Sequence, residues 1–231
     1  MCGRFALFSS KKKILDDLFI KKENINNFSA NYNISPTQKS PILLNQKGQP
    51  IIKNMTWGLV PKWSYDIKVG SKLINARIET IDKKTSFKGL LNQNRCIIIS
   101  DGYYEWKKSN EVSQPYYITN KKKKLLLFAG LWTNKKLNTN NYITSFTIIT
   151  KPSRGEISKI HTRMPAFLNF ENIKNWIDYK NYDTANALKT LNKNDEKLKF
   201  FPISKNINSL KNNSIDLLRP FKIKKTINLF E

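Results

Sequence analysis

The sequence predicts an α+β fold: a single domain with a mainly antiparallel, twisted β-sheet or barrel core and peripheral helices. Three observations carry this expectation. Short apolar or aromatic runs recur through the first two thirds of the chain, among them PILLN, RCIIIS, LLLFAGLW and YITSFTIIT. Turn residues separate most of them, and helical spacing shows only near the two ends. The composition is globular, with 39% hydrophobic and 12% aromatic residues in 231.

The elements follow in order. GRFALF is a short strand, and residues 11–22 place Ile14, Leu15, Leu18 and Phe19 at helical spacing. Residues 31–38, NYNISPTQ, are expected as loop, because Pro36 and two Asn punctuate them. Residues 41–45 and 50–58 form strands joined by a turn at Gln46-Lys47-Gly48. WGLVPKW (57–63) is an aromatic-flanked turn, and LINAR (73–77) a short strand. Further strands are expected at 95–100, 103–108, 115–119, 125–132 and 142–150. KIHTRMP (159–165) reads as loop, 171–179 and 183–191 as helices, and 197–204 as a late strand. No linker or repeat divides the chain, so one domain over 1–231 is expected.

Composition narrows the function classes. No apolar run approaches the ~18 residues of a membrane span, and the N-terminus turns basic before any signal-like apolar stretch. Two distant cysteines make no disulfide framework, which points to a reducing, cytoplasmic setting. The net charge of +24 points to a polyanionic partner. Richness in Lys, Asn and Ile offers a second source for that charge, the drift of AT-rich coding. The arginines are more selective. Only six stand among 41 basic residues: Arg4, Arg77, Arg95, Arg154, Arg163 and Arg219. Their planar forks suit phosphate or carboxylate.

Four stretches hold groups able to do chemistry. Cys2 follows the initiator Met. With Met1 removed, it would offer an α-amine, pKa ~7.7–8.0, beside a thiol. The amine forms a Schiff base with an aldehyde, and the thiol closes the imine to a five-membered thiazolidine. The competing assignment is a small buried hydrophobe. Asn75 and Arg77 of INARIET share one face of a strand, which suits orienting an amine and holding a phosphate, or simply a polar strand edge. Glu105 sits between Tyr104 and Trp106, where a carboxyl gains a raised pKa, or else pairs with a surface Lys. His161, the lone histidine, shuttles a proton or packs as a core residue. One His with two scattered Cys makes no zinc site, and no cofactor is expected. Trp63 and Trp106 are candidate stacking surfaces for single-stranded nucleic acid, with Trp57 and Trp132 assigned to the core.

Taken together and in order, MCGRF, YNISPTQ, WGLVPKW, INARIET, RCIIISDGYYEW, AGLW and IHTRMP resemble the SRAP family of SOS-response-associated peptidases, abasic-site-crosslinking proteins. The likeness runs from Cys2 to about Leu168. It implies removal of Met1 and capture of the ring-opened aldehyde of an abasic site in single-stranded DNA by Cys2, as a thiazolidine. It further implies that Asn75 orients the Cys2 amine, that Glu105 transfers protons and that His161 helps open the deoxyribose and reverse the crosslink. Arg4, Arg77 and Arg163 would clamp phosphates, and Trp63, Trp106 and the Pro36 loop would border the DNA. A monomer acting in the DNA damage response is expected. One departure stands out: where the family has Thr-Thr-x-Ala-Asn, this chain reads Ile149-Thr150-Lys151-Pro152-Ser153. The alternatives are a thiol peptidase or amidohydrolase with an N-terminal nucleophile, and a non-catalytic strand binder driven by charge alone.

Overall fold

The structure, a computed structural model, describes residues 2–21, 27–108, 113–138, 140–193 and 197–222. Its strands form two sheets. β1 (Arg4–Leu7) is followed by helix α1 (Lys11–Leu18) and by β2 (Asn31–Ile34). β3 (Lys39–Gln46) and β4 (Gln49–Trp57) are a hairpin, and β5 (Asn75–Arg77) is a short insertion. β6 (Arg95–Ser100), β7 (Gly102–Lys108), β8 (Ser113–Asn120), β9 (Leu126–Lys136) and β10 (Tyr142–Pro152) follow. β11 (Arg163–Pro165), β12 (Phe167–Leu168), α2 (Ile173–Ile177), α3 (Thr184–Lys193) and β13 (Leu198–Pro202) complete the order.

β10, β4, β3, β6 and β9 pair in sequence, and β9 pairs again with β10, so five strands close a barrel. All these pairings are antiparallel except β10 with β4. β5 also lies parallel to β10, with Asn75 beside Ile148 and Arg77 beside Thr150. The second sheet runs β13-β8-β7-β1-β2 and is wholly antiparallel. The chain crosses from barrel to second sheet between Ser100 and Gly102. That corner is tight: a Cβ on Gly102 would lie 2.4 Å from the Tyr117 ring.

Local chemistry explains the elements. The Ser10 side chain caps α1 by accepting from the Lys13 N–H at 3.2 Å, and Phe19 ends the helix at φ 53°. Lys47 (φ 52°) and Gly48 (φ 85°) take the two left-handed positions of a two-residue hairpin turn. The β-branched Ile97, Ile98 and Ile99 of β6 are all fully buried, as befits a barrel stave packed on both faces. Trp57 is wholly buried against Phe5 and Phe146, and Trp132 packs against the same core half-buried.

Several expectations are corrected. Residues 31–34 are strand and not loop, because β2 pairs with β1 (Phe5 opposite Ile34); tertiary pairing overrides the Asn-rich composition. Residues 163–165 of the histidine stretch likewise pair with β10. The helical stretch expected at 171–179 is shorter, with α2 held to Ile173–Ile177 behind a 3-10 turn at Phe170–Asn172. β10 runs two residues past the expected 142–150, and Pro152 pairs opposite Arg163 at its end. Lys22, the last residue of the expected first helix, lies outside the described residues, as does Met1.

Candidate active site

The two faces of β1 and β7 sort the candidate residues. Arg4 pairs with Tyr104, and Phe5 with Tyr103. Side chains alternate along a strand, so Tyr103 and Glu105 face the barrel while Tyr104 and Trp106 face outward. Cys2, Phe5 and Tyr103 join the barrel core; Tyr104 and Trp106 join a smaller cluster with Ile203, Ile207 and Leu217.

On the inner side, four predicted groups converge. Cys2 is wholly buried, and its carbonyl accepts from Asn75 Nδ2 at 2.8 Å. The Cys2 thiol donates to the Arg4 carbonyl across a long 3.9 Å. Burial, with the Glu105 charge behind it, pushes this thiol far above the ordinary cysteine range. Glu105 is 4% exposed. Its carboxyl is raised chiefly by burial, against which the His161 charge works. His161 Nε2 stands 4.0 Å from Glu105 Oε1.

The histidine is oriented by backbone. The Arg163 N–H donates to His161 Nδ1 at 2.9 Å and the Arg163 carbonyl lies 3.3 Å from the same nitrogen, which leaves Nε2 as the ring nitrogen turned toward Glu105. Ser153 holds the loop: its hydroxyl donates to the His161 carbonyl and its N–H to the Thr162 carbonyl at 3.0 Å. Ser153 is thus part of the segment that departs from the family pattern, and it supports the histidine from there. Lys151 of the same segment turns away; it is buried and donates to the Leu191 carbonyl in the last turn of α3 at 3.0 Å.

The arginines are divided. Arg77 is exposed beside Asn75. Arg163 makes a bidentate pair with Glu79, 2.6 and 3.1 Å, and a further bond to the Thr150 carbonyl at 2.6 Å. Arg4 points to the outer face, where it donates to Asn33 Oδ1 at 2.6 Å and to the Ile207 carbonyl at 3.2 Å. Trp106 lies on that face too, its indole N–H donating to Asn208 Oδ1 at 3.0 Å. Arg4 and Trp106 are therefore not brought together with Cys2 by their side chains. Arg95 departs furthest from the arginine expectation. It is buried, with its fork on the Tyr182 and Asp183 carbonyls and its guanidinium over Trp176, tying the C-terminal helices to the barrel. Trp63 is 59% exposed. The half-buried Pro36 starts a turn whose next residue, Thr37, donates its N–H to the Trp57 carbonyl at 2.8 Å.

Sequence reasoning missed Glu79, Asn33 and Tyr103. Glu79 lies inside the INARIET stretch, and a carboxylate two residues after a candidate arginine was a signal to weigh. Asn33 gives its amide to three carbonyls, those of Ile207, Ser209 and Asn212; nothing local in NYNI announces partners so distant in sequence.

Barrel, second sheet and buried thiol define a β-rich domain whose site lies where the N-terminal strand meets β5 and the β10–β11 loop. A family profile described as SOS response associated peptidase (SRAP) matches residues 1–210. The chain belongs to the SRAP family. It is 37% identical over 226 residues to abasic site processing protein YoqW of Bacillus subtilis, covering 94% of this chain and 99% of that one. It is 32% identical over 230 residues to abasic site processing protein HMCES of Gallus gallus, covering 85% of this chain and 68% of that longer protein. A solved protein from Bacteroides thetaiotaomicron shares the fold with a TM-score of 0.81 at 22% identity, over 96% of this chain and 100% of its own. A phage-related protein from Bordetella bronchiseptica matches with a TM-score of 0.71 at 26% identity, over 88% of this chain and 95% of its own.

Proposed function

We propose that this chain processes abasic sites in DNA, and that it does so by capturing the ring-opened deoxyribose in single-stranded DNA on Cys2. Relatives named abasic site processing proteins, 37% and 32% identical, support the general activity. The observation that carries the mechanism is the Asn75 bond to the Cys2 carbonyl at 2.8 Å, with Glu105 and His161 beside it. An amide anchored on Cys2, two residues before β1, fixes where a freed α-amine stands, which removes much of the entropy cost of attack.

The steps balance without a cofactor. Met1 is removed, which frees the Cys2 amine. His161 moves the protons that open the sugar hemiacetal to its aldehyde. The amine adds to the carbonyl carbon, and Glu105, whose carboxyl burial pushes upward, donates as water leaves. The Cys2 sulfur then bonds the imine carbon, the C=N electrons pass to nitrogen and the thiol proton ends there. Aldehyde, amine and thiol thus give thiazolidine and one water. The +24 charge draws the polyanion, and exposed Arg77 and Trp63 border its path. Arg163, already paired with Glu79, holds the histidine loop and offers phosphate only what that pair leaves free.

Intact mass spectrometry after incubation with an abasic oligonucleotide tests the proposal. The expected product lacks Met1 and carries one oligonucleotide less one water, resistant to denaturation. Cys2→Ala and an uncleaved N-terminal tag are expected to abolish it, and Cys2→Ser to leave only a reducible imine. A stable adduct on Cys2→Ala would refute the mechanism.

A further inference from the structure

We propose that the open cleft between the end of β4 and the 3-10 turn Ile67–Lys72 is a nucleobase subsite, taking one unstacked base of the single strand that carries the lesion. The inference rests on the capture reading above and adds a part of the surface that its chemistry does not use. The cleft has a volume of about 400 Å³, within the range of small-ligand sites. Val60, Ile67 and Ile143 give it apolar sides, and Thr37, Ser71 and Lys68 supply polar groups. Its walls are fixed. The Thr37 N–H donates to the Trp57 carbonyl at 2.8 Å, and the Trp57 N–H to the Gln38 carbonyl at 2.9 Å. The 3-10 turn packs backbone to backbone on the end of β4: a Cβ on Gly70 would lie 2.7 Å from the Gly58 carbonyl oxygen. Thr37 is held at φ 74°, a left-handed position that costs a β-branched residue energy and that recurs at ligand clamps.

The surroundings select a nucleobase. Exposed Trp63 and Tyr65 precede Ile67 in the chain, and exposed Tyr142 precedes Ile143. The two segments meet: Lys135 pairs opposite Ile143, and its ammonium donates to the Lys62 carbonyl at 3.0 Å. A lone exposed ring needs no explanation, but rings gathered about one apolar cleft do. Residues 57–74 and 131–143 carry Lys62, Lys68, Lys72, Lys135 and Lys136 against a single carboxylate, Asp66. That carboxylate is engaged, its Oδ1 accepting from the Lys68 N–H at 2.8 Å. Rings for base faces and ammoniums for phosphates are the combination that holds single strands. A bare anion has no use for the apolar sides, and an apolar peptide has none for the lysines. Position agrees. Ser71 stands four residues before Asn75, which holds Cys2, so at most ~14 Å of backbone separates the cleft from that anchor. A strand with its abasic sugar at Cys2 brings a base only a few nucleotides away to the cleft.

Two variants test this in Met1-processed protein: Ser71→Leu fills the cleft from its exposed rim, and Ile67→Ser removes an apolar side that is already half exposed. Single strands bearing one 5-iododeoxyuridine are photo-crosslinked, and the attached peptide is read by mass spectrometry. Binding is measured by anisotropy on strands with tetrahydrofuran, an abasic analogue without an aldehyde, at the lesion position and a second one placed in turn at each flanking position. Wild type is expected to crosslink within residues 63–72 or at Tyr142, and to lose about tenfold in affinity when one particular flanking base is missing. Both variants should lose that crosslink and that position dependence, while the Cys2 adduct forms within about twofold of wild type at saturating DNA. No crosslink in this region would overturn the proposal. So would affinity losses equal at every flanking position and shared by the variants, which mark backbone charge alone. A wild-type dimer that Ile67→Ser splits, with strand binding unchanged, would give the cleft to a second copy and overturn it as well. Crosslinking here without any Cys2 adduct would sink the capture reading and leave the subsite; an adduct without crosslinking here would sink the subsite alone.

Discussion

Replacing Asn75 by Asp probes the anchor of the site at nearly constant volume. Asn75 Nδ2 donates to the Cys2 carbonyl at 2.8 Å; an ionised carboxylate has only acceptors to offer there. The Cys2 carbonyl, on a wholly buried residue, loses its donor and meets another oxygen. Leaving a buried acceptor unsatisfied costs about 1–3 kcal/mol. If that cost falls wholly on positioning the amine, adduct formation slows by about 5- to 150-fold, at about 1.36 kcal/mol per tenfold. The pH dependence carries a sign. Burial and the nearby Glu105 both favour the neutral acid at this position. Once protonated, the introduced carboxyl can donate its O–H to the Cys2 carbonyl again, so the deficit shrinks as pH falls and grows as pH rises. The assay is the initial rate of denaturation-resistant adduct across pH, beside Asn75→Ala, which has no donor at any pH. A folded Asn75→Asp that matches wild type at about pH 8, or a deficit that widens on acidification, would refute the reasoning.

Glu105→Gln is expected to melt higher than wild type at about pH 7 while its imine forms more slowly. Burial raises the wild-type carboxyl, so its charged form costs the fold stability above that raised pKa and nothing below the ordinary Glu value of about 4.3; calorimetry against pH should show the advantage vanishing on acidification. Glu79→Gln should cost about 0.5–1 kcal/mol near neutral pH, discounted because Glu79 is 42% exposed. Arg163 holds the Glu79 carboxyl below its ordinary range. That stability is present above about pH 4.3 and lost as pH falls through the lowered value, so urea midpoints of the two proteins should converge in acid. Gly58→Ala should cost about 2–4 kcal/mol by chemical denaturation, because Gly58 has φ +118° and its Cβ would stand 2.6 Å from the Gly70 carbonyl oxygen.

Strands rich in Ile, Leu and aromatics declared themselves: β3, β6 and β10 cover the expected segments, and β4 and β9 each miss one end residue of theirs. β2 did not, because NYNI owes its strand state to β1 across the sheet and not to its own side chains. Cys2, Asn75, Glu105 and His161 were legible as a group through family likeness, since positions so far apart along the chain have no local meaning. Arginine scarcity was a sound pointer to special environments but not to their kind. Arg95 turned out to serve backbone carbonyls and an indole, and Arg4 an asparagine from β2. Which face of β7 a side chain takes is set by register with β1, and that decided that Glu105 joins the thiol while Trp106 does not.

The parallel seam between β10 and the early strands also imposes an order of events during synthesis. Asn75 is seated by Ile148, and the barrel closes through Phe146 beside Trp57. Until the ribosome has delivered β10, the pocket around the first strand has no far wall. On the capture mechanism proposed above, removal of Met1 has the whole translation of β2 to β9 in which to occur. After closure, Cys2 is wholly buried. On that same mechanism, topology thus sets a time for trimming: it precedes the delivery of β10.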